Sequence, residues 1–426
     1  MDLKITTSRS LKGTISVPGD KSIAHRALLI SSIADGTSSI ESFPSAADPL
    51  STLSCIRNLG IEVSQAGTSL HVKGRGLRGL RAPAAPLDCG NSGTTMRLLS
   101  GILCGQHFAS ELVGDDSLSR RPMKRIIEPL SAMGAKISGT KDFTAPLKID
   151  GVPNLLPLDY TLPIPSAQVK SSVLFAGLYA EGTTRVVERT GTRDHTERML
   201  GLNIGKENGV HTVAIEGGKK IPANKYSIPG DVSSAVFLIA ASVLLPNSYM
   251  TLLRVGLNPT RTAVLDVFRS MGTKIVVENE SIQAGEPFGD LSVLPSDISP
   301  RLDLHGSIVA ALIDEIPILA VVAAVAKGSF RLRDAADLRK KESDRIAAIV
   351  GNLRAMGVEV EESEDGFAFE NRKTLIGTAV RTFGDHRIAM AFGVAGLRVP
   401  DVVIQGAECA EVSFPGFWQT LTKLSS

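Results

Sequence analysis

Aromatic residues are scarce, at 4% of the 426 positions with a single tryptophan, and the formal net charge is only +2. A nucleic-acid surface needs stacking rings and a strong positive field, so that class of partner is excluded. Cysteine is equally sparse. Cys55, Cys89, Cys104 and Cys409 show neither a paired metal-ligand spacing nor a disulfide framework, which predicts reduced thiols in a cytoplasmic protein. The 7 histidines are dispersed, so no structural or catalytic metal site is expected. Long hydrophobic runs are missing too: Ser307 to Ala326 carries Asp314, Glu315 and Pro317, short of a membrane span. The first ten residues are too polar for a secretory signal. A Walker-type phosphate loop is excluded at Pro18-Gly19-Asp20-Lys21-Ser22, because Asp20 separates Gly19 from Lys21.

What is present is repetition. At 43% hydrophobic the chain is long for one core, and two domains are the natural expectation. Pro18-Gly19-Asp20-Lys21-Ser22 opens an apolar run, and Pro229-Gly230-Asp231-Val232-Ser233 opens another without the Lys and Arg of the first. Four further apolar helices are predicted after polar clusters at Cys89–Arg97, Pro165–Ser172, Asp314–Pro317 and Gly384–Arg387. These starts recur every ~70 residues, about right for one compact βα-containing unit. Amphipathic segments alternate with them and end at Gly60, Gly134, Gly201, Gly272 and Gly357, each placed to stop a helix in a left-handed conformation before a β-branched residue starts a strand. A last amphipathic segment runs from Phe414 to Leu424. The count is six units, three per domain. All-apolar helices must be buried on every side, so buried helices inside and sheets outside are predicted.

The candidate chemistry lies at those helix starts. Lys21, Ser22 and Arg26 stand where unpaired backbone N–H groups carry partial positive charge, which suits a phosphate, although for this stretch alone a capped helix with solvated charges is the favoured reading. Asn91 to Thr95 offers hydroxyls and Gly93, which lets a ligand approach the backbone. Arg121 belongs to a cation cluster at a helix start, an unfavourable place for cations unless an anion binds. Ser166 reads as a cap beside Ala167, and Gln168 needs a polar partner. Arg193 either pairs with Asp194 or contacts a ligand. Asp314 precedes a Pro-tolerant first turn and reads as an N-cap. Lys341, Glu342 and Arg345 are expected on an amphipathic helix, with an intrahelical salt bridge as the simple alternative. Arg387, entering an apolar run, requires an anion from protein or ligand.

Pro18-Gly-Asp-Lys21-Ser22-x-x-x-Arg26, Gly90-Asn-Ser-Gly-Thr-Thr-Met-Arg97, Arg121-Pro122-Met123, Ser166-Ala167-Gln168-Val-Lys, Thr192-Arg193-Asp-His-Thr-Glu, Asp314-Glu-x-Pro, Lys341-Glu342-Ser-Asp-Arg345 and Gly384-Asp-His-Arg387 follow in order along nearly the whole chain. This series resembles that of the 5-enolpyruvylshikimate-3-phosphate synthases. The resemblance implies an α/β fold: a two-domain inverse α/β barrel of six βαβαββ units. Residues 1–17 with 230–426 would form a C-terminal lobe on the phosphoenolpyruvate side. Residues 18–229 would form an N-terminal lobe on the shikimate 3-phosphate side, with hinge crossings near Pro18 and Pro229 and closure over the substrates.

The implied reaction transfers the enolpyruvyl group of phosphoenolpyruvate to the 5-hydroxyl of shikimate 3-phosphate, in the pathway to aromatic amino acids, by a cytoplasmic, cofactor-free monomer. Carried over motif by motif, Lys21, Ser22, Arg26, Ser166, Ala167, Gln168, Arg193, Asp314 and Lys341 would hold shikimate 3-phosphate. Lys21, Gly93, Arg121, Gln168, Arg345 and Arg387 would bind phosphoenolpyruvate. Asp314, Glu342 and Lys21 would be catalytic. Two positions depart from the family pattern: Val412 replaces a Lys before Ser413-Phe414-Pro415, and Leu98 follows Met-Arg where Pro is common, so the response to glyphosate is not set by Gly93 alone. A related transferase acting on UDP-N-acetylglucosamine usually carries a reactive Cys before its Arg-Pro, and Gly114 to Arg121 contains none. A non-catalytic anion-binding scaffold is the other alternative, disfavoured because carboxylates beside a phosphate gain it nothing.

Overall fold

The six apolar runs all become helices: Lys21–Ser32, Gly93–Cys104, Ala167–Gly177, Val232–Leu244, Ile316–Val325 and His386–Gly396. In the first and third of these, the only residues that escape burial are the opening pairs, Lys21 with Ser22 and Ala167 with Gln168. Helices buried on all sides need small residues where they meet. Between Gly93–Cys104 and Ala167–Gly177 that residue is Gly101, where an added Cβ would lie 2.2 Å from the Ser172 carbonyl oxygen.

A computed structural model describes residues 1–425 of the chain. It divides into two compact units: Met1–Pro18, Pro229–Ser281 and Pro287–Ser426 make up unit 1, while Gly19–Ile228 and Ile282–Glu286 make up unit 2. Each has its own hydrophobic core, built around three of the buried helices. No helix among the described residues is long and apolar enough to cross a membrane.

Three sheets flank the buried helices of each unit, and five of the six share one plan. In the sheet Leu87–Asp88, Ala109–Val113, Leu147–Asp150, Lys136–Ser138, the first pair is parallel and the next two pairs are antiparallel. A parallel pair needs a crossover, and here the buried helix supplies it. The sheet formed by Ala379–Arg381, Val403–Gln405 and Asp2–Lys4 is one strand shorter. At the two Pro-Gly-Asp sequences this plan is altered. Lys12–Ser16, which precedes the first, pairs with Tyr249–Gly256 in unit 1, and Lys225–Ser227, which precedes the second, pairs with Asp35–Glu41 in unit 2. At both places the strand and the helix that follows it belong to different units.

The second helix of each repeat is amphipathic: Ala47–Asn58, Lys124–Ala132, His195–Leu200, Ala263–Ser270, Arg345–Ala355 and Phe417–Leu424. All five predicted stop glycines adopt positive φ, from 63° at Gly201 to 103° at Gly272. The strand then starts at or before the β-branched residue in four cases; after Gly357 it starts at Glu361, one residue beyond Val360. The last helix begins at Phe417 rather than Phe414, because Pro415 and Gly416 occupy the entry turn.

Candidate active site

Five of the six buried helices are capped by a side-chain oxygen that accepts a first-turn N–H: Asp20, Ser92, Ser166, Asp231 and Asp385. The sixth, Ile316–Val325, is capped at Glu315 without such a bond and carries Pro317 in its first turn. Asp314 is therefore not the N-cap, which leaves its carboxylate to other partners.

In unit 2, Lys21 is the first residue of its helix, and its ammonium lies 3.0 Å from Asp48 Oδ2. One turn on, Arg26 is 3% exposed. Its guanidinium donates to the Ser22 carbonyl at 2.9 Å, to Ser171 Oγ at 2.8 Å and to Thr196 Oγ1 at 2.7 Å. Burial pulls the Arg26 pKa down to about 10, against the attraction of Glu197 and Asp20 and with the help of the neighbouring Arg193 cation. His25, beside it, bonds Thr52 Oγ1 through Nδ1 at 2.7 Å, and Thr52 bonds Thr95 Oγ1 at 2.7 Å. These hydroxyls tie the starts of the helices Lys21–Ser32 and Gly93–Cys104 to the helix Ala47–Asn58.

Gly93 opens the next helix, and a Cβ there would meet Arg97 Nη1 at 3.0 Å and Arg121 Nη1 at 3.6 Å. Gln168 finds the partners it needs: its carbonyl accepts from Arg97 Nη1 at 2.6 Å and its amide donates to Thr94 Oγ1 at 2.9 Å. Arg121 donates to Asn91 Oδ1 at 2.7 Å. Ser166 caps Val169 and Ala167 opens the helix. Arg193 is half-buried just before His195–Leu200. Its neighbour Asp194 accepts from Arg198 Nε at 2.9 Å.

In unit 1 the cluster is organised by Arg345, which is 1% exposed. Nε donates to Asp385 Oδ2 at 2.8 Å, Nη2 to Glu342 Oε2 at 2.6 Å and Nη1 to Asp314 Oδ1 at 3.3 Å. Burial alone would lower the pKa of Arg345, but Asp385, Glu342 and Asp314 more than offset it and raise it above the ordinary value. Conversely, Asp385 is buried yet held below the usual carboxylate range by Arg345. Arg387 donates from Nη1 to the Asp314 carbonyl at 2.9 Å, and its Nη2 is 3.6 Å from Asp314 Oδ2. The anion that a cation in this apolar run requires is thus in part Asp314 itself.

Lys341 and Glu342 were expected on a helix; instead Asp344 caps it and Arg345 opens it. Lys341 ends a preceding 3₁₀ turn, Ala336–Lys340, and is half-buried next to Glu342. The Glu342–Arg345 pair exists nonetheless, made from the loop. Leu98 is fully buried inside its helix rather than on a turn, and Val412 ends the 3₁₀ segment Ala407–Val412. The sequence reading missed Arg97, Asp48 and Asp385 as members of these clusters. For Arg97 the signal was available: it is a charge inside an otherwise buried helix.

Within unit 2, then, cations at helix starts are gathered with hydroxyls and amides, and within unit 1 two arginines are gathered with three carboxylates. A family model described as EPSP synthase (3-phosphoshikimate 1-carboxyvinyltransferase) matches residues 5–421. The 3-phosphoshikimate 1-carboxyvinyltransferase of Salinibacter ruber is 51% identical, with 99% of each chain covered. That of Bacillus subtilis is 44% identical over 98% of each. Among solved structures, EPSP synthase from Acinetobacter baumannii superposes with a TM-score of 0.88 at 39% identity, covering 100% of this chain and 98% of that one.

Proposed function

The chain belongs to the EPSP synthase family, and from that premise we propose how its two clusters share the work of a 3-phosphoshikimate 1-carboxyvinyltransferase. The enzyme transfers the enolpyruvyl group of phosphoenolpyruvate to the 5-hydroxyl of shikimate 3-phosphate and releases phosphate. Lys21, Ser22, Arg26, Ser166, Ala167, Gln168, Arg193, Asp314 and Lys341 hold shikimate 3-phosphate. Lys21, Gly93, Arg121, Gln168, Arg345 and Arg387 hold phosphoenolpyruvate.

The observation that carries the assignment is that Arg345 and Arg387 both reach Asp314, while Arg345 also holds Glu342. The reaction must take a proton from the 5-hydroxyl and add one to the methylene carbon of the enol. Asp314, held by two guanidiniums, takes the hydroxyl proton as the oxygen attacks the central carbon. Glu342 or Lys21 delivers the other proton. The tetrahedral adduct then eliminates: its new methyl group gives back a proton, the carbon–carbon double bond re-forms and phosphate is expelled, its growing negative charge met by arginines. The same reading has the protein act as a cytoplasmic monomer.

Phosphate release measured with phosphoenolpyruvate and either shikimate 3-phosphate or UDP-N-acetylglucosamine tests the reading. Release is expected with the first acceptor alone. Release with the sugar nucleotide, or with neither, would overturn it.

A further inference from the structure

The second Pro-Gly-Asp sequence has no Lys or Arg of its own, but the fold supplies one from another segment. Arg261, just before the helix Ala263–Ser270, is 4% exposed. Its Nη2 donates to Asp231 Oδ1 at 3.0 Å and to Ser233 Oγ at 2.7 Å. A guanidinium has no acceptor, so Ser233 accepts from Arg261 and turns its own proton away from it. That proton goes to Glu315 Oε1, in a short contact. The nearest cation recorded for the same carboxylate oxygen is Arg387 Nη1 at 4.0 Å, the nitrogen that also donates to the Asp314 carbonyl. Glu315 is 1% exposed, adjacent to Asp314 and the cap of the helix Ile316–Val325.

We propose that Ser233 and Arg261 are positioning residues that set Arg387 and Asp314 for the reaction through the carboxylate of Glu315. The proposal rests on the functional reading above. A buried carboxylate needs compensation. While an oriented hydroxyl supplies part of it, Glu315 competes only weakly for Arg387, and that guanidinium keeps its attraction for an incoming anion. Deleting the hydroxyl leaves Glu315 to draw on Arg387 alone. Neutralising Glu315 does the opposite and frees the cation, but loosens the segment that carries Asp314. The two changes should therefore move phosphoenolpyruvate affinity in opposite directions, whereas damage to a merely structural contact would lower stability and activity together.

The test is a double-mutant cycle with Ser233→Ala and Glu315→Gln, reading kcat, KM for phosphoenolpyruvate, and calorimetric binding of phosphoenolpyruvate itself. Ser233→Ala should raise KM roughly 5–10-fold, in line with losing a hydrogen bond to a charged group. Glu315→Gln should lower KM while kcat falls. In the double variant KM should return to the Glu315→Gln value, because the effect of losing the hydroxyl depends on the charge it compensates. Unchanged KM in Ser233→Ala, or KM increases in both variants that simply multiply, overturns the proposal. If Ser233→Ala does not fold, Glu315→Gln decides alone, a raised or unchanged KM refuting. A wild-type protein that binds phosphoenolpyruvate but releases no phosphate would sink the functional reading only, since opposite affinity shifts would still register by calorimetry. One that does not bind phosphoenolpyruvate sinks both.

Discussion

Lys170 offers the sharpest quantitative test, because the fold buries it completely. Its ammonium lies 2.6 Å from Glu188 Oε1 and 2.6 Å from Glu197 Oε1, with side-chain exposures of 0%, 5% and 1% for the three residues. Replacing Lys170 by Met keeps the length of the stem and removes the charge, leaving two carboxylates without their cation. Breaking a buried pair by removing one partner costs about 3–5 kcal/mol. For a folding unit of this size each kcal/mol moves the melting midpoint by about 2–4 °C, so a fall of roughly 6–20 °C is expected. The pH dependence has a definite sign. Burial already raises the Glu197 pKa, with Lys170 opposing it. A carboxylate whose folded pKa is raised contributes stability that is present below its unfolded value and is lost as pH rises through the folded one. Losing Lys170 raises that folded pKa further, so the deficit should widen from the ordinary carboxylate value of 4.5 toward neutral pH and shrink below it. Thermal melts of both proteins across that range provide the measurement. A midpoint within ~2 °C of wild type at the upper pH, or a loss independent of pH, would refute the account.

Three further tests concern the clusters themselves. Asp314→Ala should cut kcat at least ~100-fold, as for loss of a general base, without raising KM for phosphoenolpyruvate, because Arg345 and Arg387 lose a competing carboxylate; full turnover would remove Asp314 from the mechanism. Gly93→Ala places a methyl group 3.0 Å from Arg97 Nη1 and should raise KM for phosphoenolpyruvate roughly 3–10-fold with the fold intact, since small misplacements of binding groups are costly; an unchanged KM would mean that no ligand group depends on that space. His25 has its pKa lowered to about 3, mainly by burial, so its ring should show no titration by NMR between about pH 8 and pH 5. With a depressed folded pKa, its contribution to stability is present above the ordinary value near 6.5 and lost as pH falls toward 3. A ring that protonates near pH 6.5 would show that the site is open to water.

The periodic part of the fold was legible because it is written in local chemistry. Apolar runs behind a capping residue, and glycines where a left-handed stop is needed, gave six buried and six amphipathic helices before any tertiary contact was known. What sequence could not supply was pairing at long range. Ile282–Glu286 falls in unit 2 although its flanking strand residues lie in unit 1, and nothing in the pattern of a hairpin says which body its tip will join. The same limit applies to the candidate site. Asp314 looked like a cap because a carboxylate one residue from a helix start usually is one, and only the fold shows Glu315 in that place. Lys341 and Glu342 looked helical because charge spacing is blind to the 3₁₀ turn that Ala336–Lys340 inserts. Lys170, Glu188 and Glu197 could not be grouped from sequence because their contact joins a helix, a strand and a second helix, although Lys170, like Arg97, is a charge inside a buried helix.

Arg26 and Arg345 show why two kinds of arginine environment are needed. Both are almost fully buried. Arg26 is held by three neutral oxygens, from Ser22, Ser171 and Thr196, and burial lowers its pKa to about 10. Arg345 is held by three carboxylates, which raise its pKa despite burial. A guanidinium oriented by hydroxyls and carbonyls stays protonated near neutral pH, since a pKa of about 10 still leaves it cationic, and its charge remains uncompensated by any contacting anion. Under the proposed function, that leaves it with attraction to spare for a phosphate that is charged throughout the reaction. A guanidinium shared among carboxylates has spent much of that attraction, but in return it keeps them ionised and fixed. That second arrangement suits groups that must accept or donate a proton while a neighbouring phosphate leaves. Exchanging the settings would defeat the proposed roles: carboxylates around Arg26 would repel a phosphate, and neutral partners around Arg345 would leave Asp385 without the cation that holds its pKa down.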